Sequence, residues 1–140
     1  MDNEEKRGAI LYSMTEKKTV LIVDDDQVFQ ELLNDSLKKE GYKTIQAFDG
    51  GAGIELALKH HPDFIVLDVR MPESEGIEVA KRIRQDEWGK DVPILMFTEV
   101  EDVEVISEAL SQGVMWYEIK SNLTINEVVH RVNEALHKNN

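Results

Sequence analysis

The chain contains no cysteine and only three prolines among its 140 residues. Without thiols, disulfide bridges and metal sites built on thiolates are excluded. No apolar run approaches the roughly 18–20 residues that a membrane-spanning helix needs. The first residues, MDNEEKRGAILYSM, are too acidic for a secretory signal. We therefore expect a soluble, cytoplasmic protein without membrane insertion.

Basic residues are also in the minority. The 16 Lys and Arg residues face 28 Asp and Glu residues, for a formal net charge of −12. Because proteins bind the phosphate backbone of nucleic acids through clustered Lys and Arg, we expect no direct contact with nucleic acid. The length predicts one domain with a sizeable core. Residues 1–16 lack the pattern described below and are predicted to be a flexible N-terminal extension before a domain over residues 17–140.

Short apolar runs alternate with amphipathic segments, which is typical of βα units that form a parallel sheet. The predicted strands are Val20–Val23, Lys43–Ala47, Phe64–Leu67, Ile94–Phe97 and Val114–Ile119. The predicted helices are Gln27–Glu40, Gly51–Lys59, Gly76–Arg84, Val103–Leu110 and Ile125–His137. Three of the strands are apolar at every position, as strands covered on both faces are. The more mixed Lys43–Ala47 is expected at a sheet edge.

Chemically competent residues follow the predicted strands: Asp24, Asp25, Asp26, Asp68, Thr98 and Lys120. In an open α/β sheet such residues gather at the carboxyl ends of the strands. Two carboxylates about 5 Å apart repel by about 3 kcal/mol at an effective dielectric constant of about 20, so the cluster needs a cation. Oxygen ligands without His or Cys favour Mg²⁺, and a carboxylate can act as a nucleophile towards phosphorus. Asp26 is also expected to cap the first helix.

Four segments resemble the signature segments of response-regulator receiver domains: VLIVDDD (Val20–Asp26), FIVLDVRMP (Phe64–Pro72), VPILMFT (Val92–Thr98) and GVMWYEIK (Gly113–Lys120). The resemblance covers about residues 18–138. It implies a doubly wound α/β fold, the flavodoxin-like receiver, with a five-stranded parallel sheet in the order 2-1-3-4-5. It also implies a two-component signalling protein rather than an enzyme, one that catalyses only its own phosphotransfer and autodephosphorylation.

The resemblance further implies roles for the acidic residues. Asp68 would accept a phosphoryl group from a histidine kinase or a histidine phosphotransfer protein and become an aspartyl phosphate. Asp25 would bind Mg²⁺ together with Asp68 and the backbone carbonyl of Arg70. Asp24 would act on the ion mainly through water.

The remaining roles concern switching. Lys120 would pair with Asp68 and then with the phosphoryl group, Thr98 would turn to donate a hydrogen bond to it, and Tyr117 would follow as the aromatic switch residue. A downstream protein would bind the face formed by Val103–Leu110, Val114–Ile119 and Ile125–His137. An exposed aromatic residue and three acids lie in or next to this face. The surface around them is the predicted binding site for a partner protein or for a second copy in a homodimer: Glu101, Glu104, Trp116 and Glu118. Only three residues follow the last predicted helix, so we expect the output to come from another protein.

The chain departs from the family pattern at four positions. Ser121 follows Lys120 where Pro is usual, Glu99 replaces a small residue after Thr98, and Glu118 occupies a place that is usually apolar. Glu99 is expected to restrict small phosphodonors and to alter dephosphorylation. Gly53 replaces a helix-favouring Ala, at a cost of up to about 1 kcal/mol.

These departures keep alternatives open. One is a phosphorylation-independent interaction module on the same fold, since a fold alone does not determine function. A weaker one is an aspartyl-phosphate phosphatase of the haloacid-dehalogenase kind, which Asp24 and Asp26 fit only by their D-x-D spacing. The four histidines are interpreted as solvated residues without partners.

Overall fold

The computed structural model describes residues 1–8, 16–71, 74–99, 103–114 and 116–137. Within these ranges some side chains lie outside the description, namely those of Arg70, Met71, Ser74, Glu75, Thr98, Val103, Val105 and Asn122. Residues 3–8 form a short helix that the sequence pattern did not predict. The flexibility of the N-terminal extension and the boundary of the domain at residue 17 remain predictions.

Five parallel strands form one sheet. They are β1 (Thr19–Val23), β2 (Lys43–Ala47), β3 (Phe64–Asp68), β4 (Ile94–Thr98) and β5 (Trp116–Ile119). Their spatial order is β2-β1-β3-β4-β5, and every pairing is parallel. The predicted order 2-1-3-4-5 and the edge position of Lys43–Ala47 are therefore confirmed. The last strand begins at Trp116 rather than at Val114, and Val114 is buried ahead of it.

Five helices connect and cover the strands. They are α1 (Gln27–Lys39), α2 (Gly50–His60), α3 (Gly76–Arg84), α4 (Val103–Ser111) and α5 (Ile125–His137). All five were predicted to within one residue at each end. Asp26 accepts hydrogen bonds from the backbone N–H groups of Val28 and Phe29 at the start of α1, which confirms its predicted capping role. Gly41, with a φ of 94°, turns the chain after α1.

The core has two apolar layers, one on each face of the sheet. The side chains of β1 alternate between them, so that Leu21 and Val23 pack with residues of α2, α3 and α4, whereas Val20 and Ile22 pack with residues of α1 and α5. All residues of β3 are buried. This burial on both faces explains the uninterrupted apolar runs of the central strands. No helix in the described ranges has the length and apolar character to cross a membrane.

The histidines differ in part from the prediction. All four are exposed, as expected. The expectation that they lack partners is wrong, because the imidazole of His61 stacks on Trp88 with ring centroids 4.7 Å apart. His130 lies 3.7 Å from a carboxylate oxygen of Glu134 one helical turn later.

Gly53 has a packing role that helix propensity does not reveal. A Cβ at this position would lie 2.9 Å and 3.0 Å from the two γ-methyl carbons of Val23. Val23 is fully buried at the end of β1, and a valine side chain has little rotamer freedom with which to move away. The absence of a side chain at Gly53 therefore lets α2 lie directly on β1, next to Asp24.

We predict that Gly53→Ala destabilises the protein in spite of the better helix propensity of Ala. Overpacking of about 1–3 kcal/mol against Val23 outweighs a propensity gain of up to about 1 kcal/mol, for a net loss of about 1 kcal/mol. Urea unfolding measures the difference. Gly51→Ala is the matched control, since Gly51 is exposed in the same helix and its added Cβ would meet only Asp49 Oδ1, at 3.4 Å. A Gly53→Ala protein as stable as the Gly51→Ala protein would contradict this account.

Candidate functional site

Three carboxylates meet at the carboxyl edge of the sheet. Strands β1 and β3 are parallel neighbours, so Asp24 and Asp25, which follow β1, lie beside Asp68, the last residue of β3. One carboxylate oxygen from each of the three lies within 4.8 Å of the others. Asp24 is fully buried and Asp68 nearly so, whereas Asp25 is exposed. The structure thus brings together the three acids that the sequence singled out.

Asp24 is a buried charge with limited compensation. Its Oδ1 accepts a hydrogen bond of 3.0 Å from the backbone N–H of Asp26, and its Oδ2 lies 3.1 Å from Lys120 Nζ. Burial nevertheless raises the pKa of Asp24, against the lowering effects of that hydrogen bond and of Lys120. With a folded-state pKa above the unfolded-state value, Asp24 stabilises the fold in acid, and this stabilisation is lost as the pH rises through the folded-state pKa. The ionised form of Asp24 is therefore held at a cost, which a bound cation would offset.

Lys120 reaches this cluster from the end of β5. Its ammonium lies 3.1 Å from Asp24 Oδ2 and 3.5 Å from Asp26 Oδ2. Desolvation lowers the pKa of Lys120, but attraction to and a hydrogen bond with Asp24, together with the charges of Asp68 and Asp26, raise it overall. The resemblance implied Asp68 as the partner of Lys120. The structure places the ammonium against the two acids after β1, and the charge of Asp68 also acts on it. Its pairing with Asp68 stays a prediction.

Asp26 has a second role that the sequence did not reveal. While Oδ1 caps α1, Oδ2 takes part in the ion pair with Lys120. The hydrogen bond from Phe29 N–H is the main reason that the pKa of Asp26 is lowered, with further contributions from Lys120 and Val28 N–H. The sequence signal for this second role was the position of Asp26, a capping residue directly after the site acids Asp24 and Asp25.

Gln30 is a positioning residue that sequence analysis missed. Its fully buried amide donates hydrogen bonds to the carbonyl oxygens of Ile22 at 3.1 Å, Asp24 at 3.1 Å and Ala47 at 2.8 Å. Its Oε1 accepts a hydrogen bond from the amide of Gln46. Gln30 thereby ties α1 to the carboxyl ends of β1 and β2. A polar residue on the buried stripe of α1, three residues before Leu33, was the signal that could have found it.

The backbone of Asp68 is enclosed by the start of α3. The N–H of Gly76 donates a hydrogen bond of 2.6 Å to the carbonyl oxygen of Val69. A Cβ at Gly76 would lie 2.2 Å from the carbonyl oxygen of Asp68, so no side chain fits there without displacing that backbone. Arg70, two residues after Asp68, pairs with Glu75 in a small antiparallel ladder. The role of its carbonyl in metal binding stays a prediction.

The two predicted switch residues lie on neighbouring strands. The backbone of Thr98 ends β4 opposite Ile119, and its side chain lies outside the described part of the structure. Tyr117 is half-buried in β5 and packs against the apolar layer on the side of α4. The switching roles of both remain predictions.

The predicted partner surface is described only in part. Glu101 lies outside the described residues, and Glu104 is exposed on α4. Trp116, expected to be an exposed aromatic, is half-buried on the opposite face from Tyr117 and stacks on Phe64 with centroids 5.8 Å apart. Glu118 forms an ion pair of 3.2 Å with Arg131 of α5, whose guanidinium also lies over the Trp116 ring at 5.7 Å. Glu118 is thus compensated within the chain.

Comparison with known proteins identifies the family. The model of the response regulator receiver domain matches residues 20–133. The chain belongs to this family. Receiver domains of this family occur in the response regulators of two-component systems. Receiver domains generally hold Mg²⁺ in an acidic pocket, and Asp24, Asp25 and Asp68 form such a cluster in this chain.

Two curated relatives illustrate the similarity. The chain is 34% identical over 119 residues to the DNA-binding dual master transcriptional regulator RpaA of Synechocystis, a match that covers 85% of this chain and 49% of RpaA. It is 37% identical over 81 residues to the polar-differentiation response regulator DivK of Brucella ovis, covering 58% of this chain and 66% of DivK. The matches thus span from about half to just under two thirds of these relatives.

Solved structures agree with the fold. The chemotaxis protein CheY4 of Vibrio cholerae superposes with a TM-score of 0.79 at 28% identity, covering 86% of this chain and all (100%) of CheY4. A putative response regulator from Chloroflexus aurantiacus superposes with a TM-score of 0.77 at 33% identity, covering 87% and 99% of the two chains. The receiver fold inferred from the sequence is confirmed.

We predict that the Lys120–Asp24 ion pair is strongly coupled. In metal-free buffer at neutral pH, Lys120→Met should lower the free energy of unfolding by about 2 kcal/mol, because it leaves a buried carboxylate without its cation. In an Asp24→Asn background the same change should cost at least about 1 kcal/mol less, since the fully buried charge that lies closest to Lys120 is already absent. Urea unfolding of the four proteins provides the measurement. Equal costs in the two backgrounds would show that Asp24 is not the group that Lys120 stabilises.

Proposed function

We propose that this receiver domain is a Mg²⁺-dependent phosphoryl acceptor in which Asp68 takes its phosphoryl group from a histidine kinase or a histidine phosphotransfer protein. The domain would occupy residues 17–140 of a cytoplasmic protein. The observation that carries the proposal is the convergence of Asp24, Asp25 and Asp68 within 4.8 Å, beside the ammonium of Lys120. A nucleophilic carboxylate, further acids and a fixed positive charge are the groups that phosphoryl transfer to an aspartate requires.

The donor set fits Mg²⁺. It consists of carboxylates without His or Cys, which is the ligand chemistry of a hard divalent cation. Burial raises the pKa of Asp24 although Lys120 lies 3.1 Å from its carboxylate, which supports a second cation near this buried charge. Asp25 and Asp68, with the backbone carbonyl of Arg70, would hold the ion, and Asp24 would reach it through water. When bound, the ion would supply positive charge that neutralises the oxygens of the phosphoryl group.

The protein's own residues supply the rest of the chemistry. A carboxylate oxygen of Asp68 forms the new P–O bond as the P–N bond of the donor phosphohistidine breaks, and the departing imidazole nitrogen takes a proton from solvent. The Lys120 ammonium, already among the acids, compensates the negative charge that arrives with the phosphoryl group. Near-complete burial of Asp68 limits access of water to the product. Glu99, which is exposed immediately after Thr98 at the end of β4, adds a further negative charge at the carboxyl edge of the sheet.

Phosphorylation would be read out at the face formed by Val103–Leu110, Val114–Ile119 and Ile125–His137. The phosphoryl group adds about −1.5 to −2 charges. Thr98 and Tyr117 would respond to it and alter the surface that a downstream protein or a second copy binds. Reversing a 1:99 equilibrium between two conformations needs about 5.5 kcal/mol of differential interaction, to which contacts of the phosphoryl group with Lys120, Thr98 and the metal would contribute.

We predict that acetyl phosphate with Mg²⁺ adds one phosphoryl group to the protein and that Asp68→Asn abolishes the addition. The amide of Asn cannot form an acyl phosphate. Intact-mass spectrometry detects the mass increase, and its loss on treatment with hydroxylamine identifies an acyl phosphate. Asp35→Asn is the matched control, because Asp35 is exposed on α1 away from the cluster. Labelling of the Asp68→Asn protein would refute Asp68 as the acceptor. A wild-type protein that neither acetyl phosphate nor a phosphohistidine donor labels would refute the proposal and favour a phosphorylation-independent interaction module.

We predict that Mg²⁺ stabilises the folded protein without any phosphodonor. At ten times the dissociation constant, the gain in free energy of unfolding is about 1.4 kcal/mol. Asp25→Asn should remove most of this gain but change the metal-free stability little, since Asp25 is exposed. Urea unfolding with and without Mg²⁺ tests both statements, with Asp35→Asn again as control. Full stabilisation of the Asp25→Asn protein by Mg²⁺ would rule Asp25 out as a ligand.

A further inference from the structure

Two phenylalanine rings lie beneath the ammonium of Lys120. Lys120 Nζ is 4.9 Å from the ring centroid of Phe29 on α1 and 5.2 Å from that of Phe97 on β4. The two centroids are 4.8 Å apart, with the rings tilted by 36°. Both ammonium distances lie within the roughly 6 Å over which the negative face of an aromatic ring attracts a cation.

The same ammonium is bounded by carboxylates on other sides. Asp24 Oδ2 and Asp26 Oδ2 lie 3.1 Å and 3.5 Å from Lys120 Nζ. Only 17% of the Lys120 side chain is exposed. A lysine has a long flexible stem and loses considerable rotamer entropy when its ammonium is held in one place. Two rings and two acids together confine it to one position.

Apolar packing by itself explains only part of this arrangement. Phe97 is fully buried and Phe29 packs on the same apolar layer, so both rings would contribute to the core whatever lay above them. Apolar burial alone does not require an aromatic side chain at either position. The distinguishing feature is that a largely desolvated ammonium, rather than the aliphatic stem alone, lies over both ring faces.

We propose that the Phe29/Phe97 pair is a cation–π site that positions the Lys120 ammonium against Asp24 and Asp26, so that Phe29 and Phe97 are positioning residues for the acidic site. The cation–π site does not depend on phosphorylation. Its contribution to phosphoryl transfer rests on the proposed function of Asp68. The two rings would keep the ammonium close to where the charge of the phosphoryl group arrives, and so reduce the cost of positioning it.

Fluorination of Phe29 separates ring electrostatics from packing. Site-specific incorporation of mono-, di- and trifluorinated phenylalanine at position 29 withdraws electrons from the ring face and changes its shape little. We expect the unfolding equilibrium constant to rise stepwise along the series, by about fivefold for the trifluorinated ring, as the cation–π attraction is lost. In a Lys120→Met background, where no cation lies over the ring, the series should be flat.

Two features make this experiment specific. Phe29 is chosen over Phe97 because it is only half-buried and tolerates fluorine better. Phe64, a buried ring of the same apolar layer that is not among the two rings beneath Lys120, is the matched control. Fluorination at Phe64 should give the same response with Lys120 or with Met at position 120. Equal slopes in the two backgrounds at Phe29 would overturn the cation–π site.

The rate of phosphorylation by acetyl phosphate tests the positioning role. We expect the trifluorinated Phe29 protein to react about fivefold more slowly than the wild type at saturating Mg²⁺. An unchanged or faster rate, with the stability slope present, would reduce the rings to a structural role and overturn the positioning claim. If neither acetyl phosphate nor a phosphohistidine donor phosphorylates Asp68 in the wild type while the slope persists, the proposed function fails and the cation–π site remains.

Discussion

The ion pair between Lys120 and Asp24 is the interaction around which the acidic site is arranged. It links groups 96 residues apart in the chain, one after β1 and one at the end of β5, across the two strands that separate them in the sheet. A fully buried carboxylate needs a cation nearby, because water cannot reach it. The positions of the other groups follow from this requirement: Asp26 shares the ammonium, Asp68 acts on it through its charge, and two aromatic rings lie beneath it.

The backbone under the acids is held by residues without charge. The side-chain amide of Gln30 donates hydrogen bonds to carbonyl oxygens at the ends of β1 and β2. Because Gln30 is completely buried, each of these hydrogen bonds is costly to lose. Gly53 and Gly76 allow α2 and α3 to approach Val23 and the carbonyl of Asp68 more closely than any side chain would permit. The acids therefore lie where the strands end, against backbone that these residues hold in place, as the phosphoryl acceptor proposed at Asp68 would require.

The structure accounts for some of the departures from the family pattern and not for others. Glu118, at a usually apolar place, is compensated by Arg131, which in turn lies over Trp116. Without Pro after Lys120, the chain continues through a short 3₁₀ turn over Lys120–Asn122, and the described peptide bonds are all trans. Nothing in the structure explains Glu99.

The elements and the acids could be read from the sequence because their signals are local. Apolar runs predicted the buried strands, the stop and cap residues predicted the helix ends, and the carboxyl-edge rule predicted that Asp24, Asp25 and Asp68 would meet. The extent of β5 was less predictable, because an edge strand contains polar residues such as Glu118 among its apolar ones and so lacks a continuous apolar run. The short helix of residues 3–8 had no apolar stripe to reveal it.

What the sequence determined by itself was the fold class, the strand order implied by family resemblance, and the identity of the acidic residues. Only the tertiary structure decided which carboxylates Lys120 contacts, that Gln30 joins two strand ends, and that Phe29 and Phe97 lie beneath an ammonium. The physical reason is that periodicity records which face of an element is buried. Contacts between side chains distant in the chain depend on strand order, register and rotamer, and no local pattern carries that information.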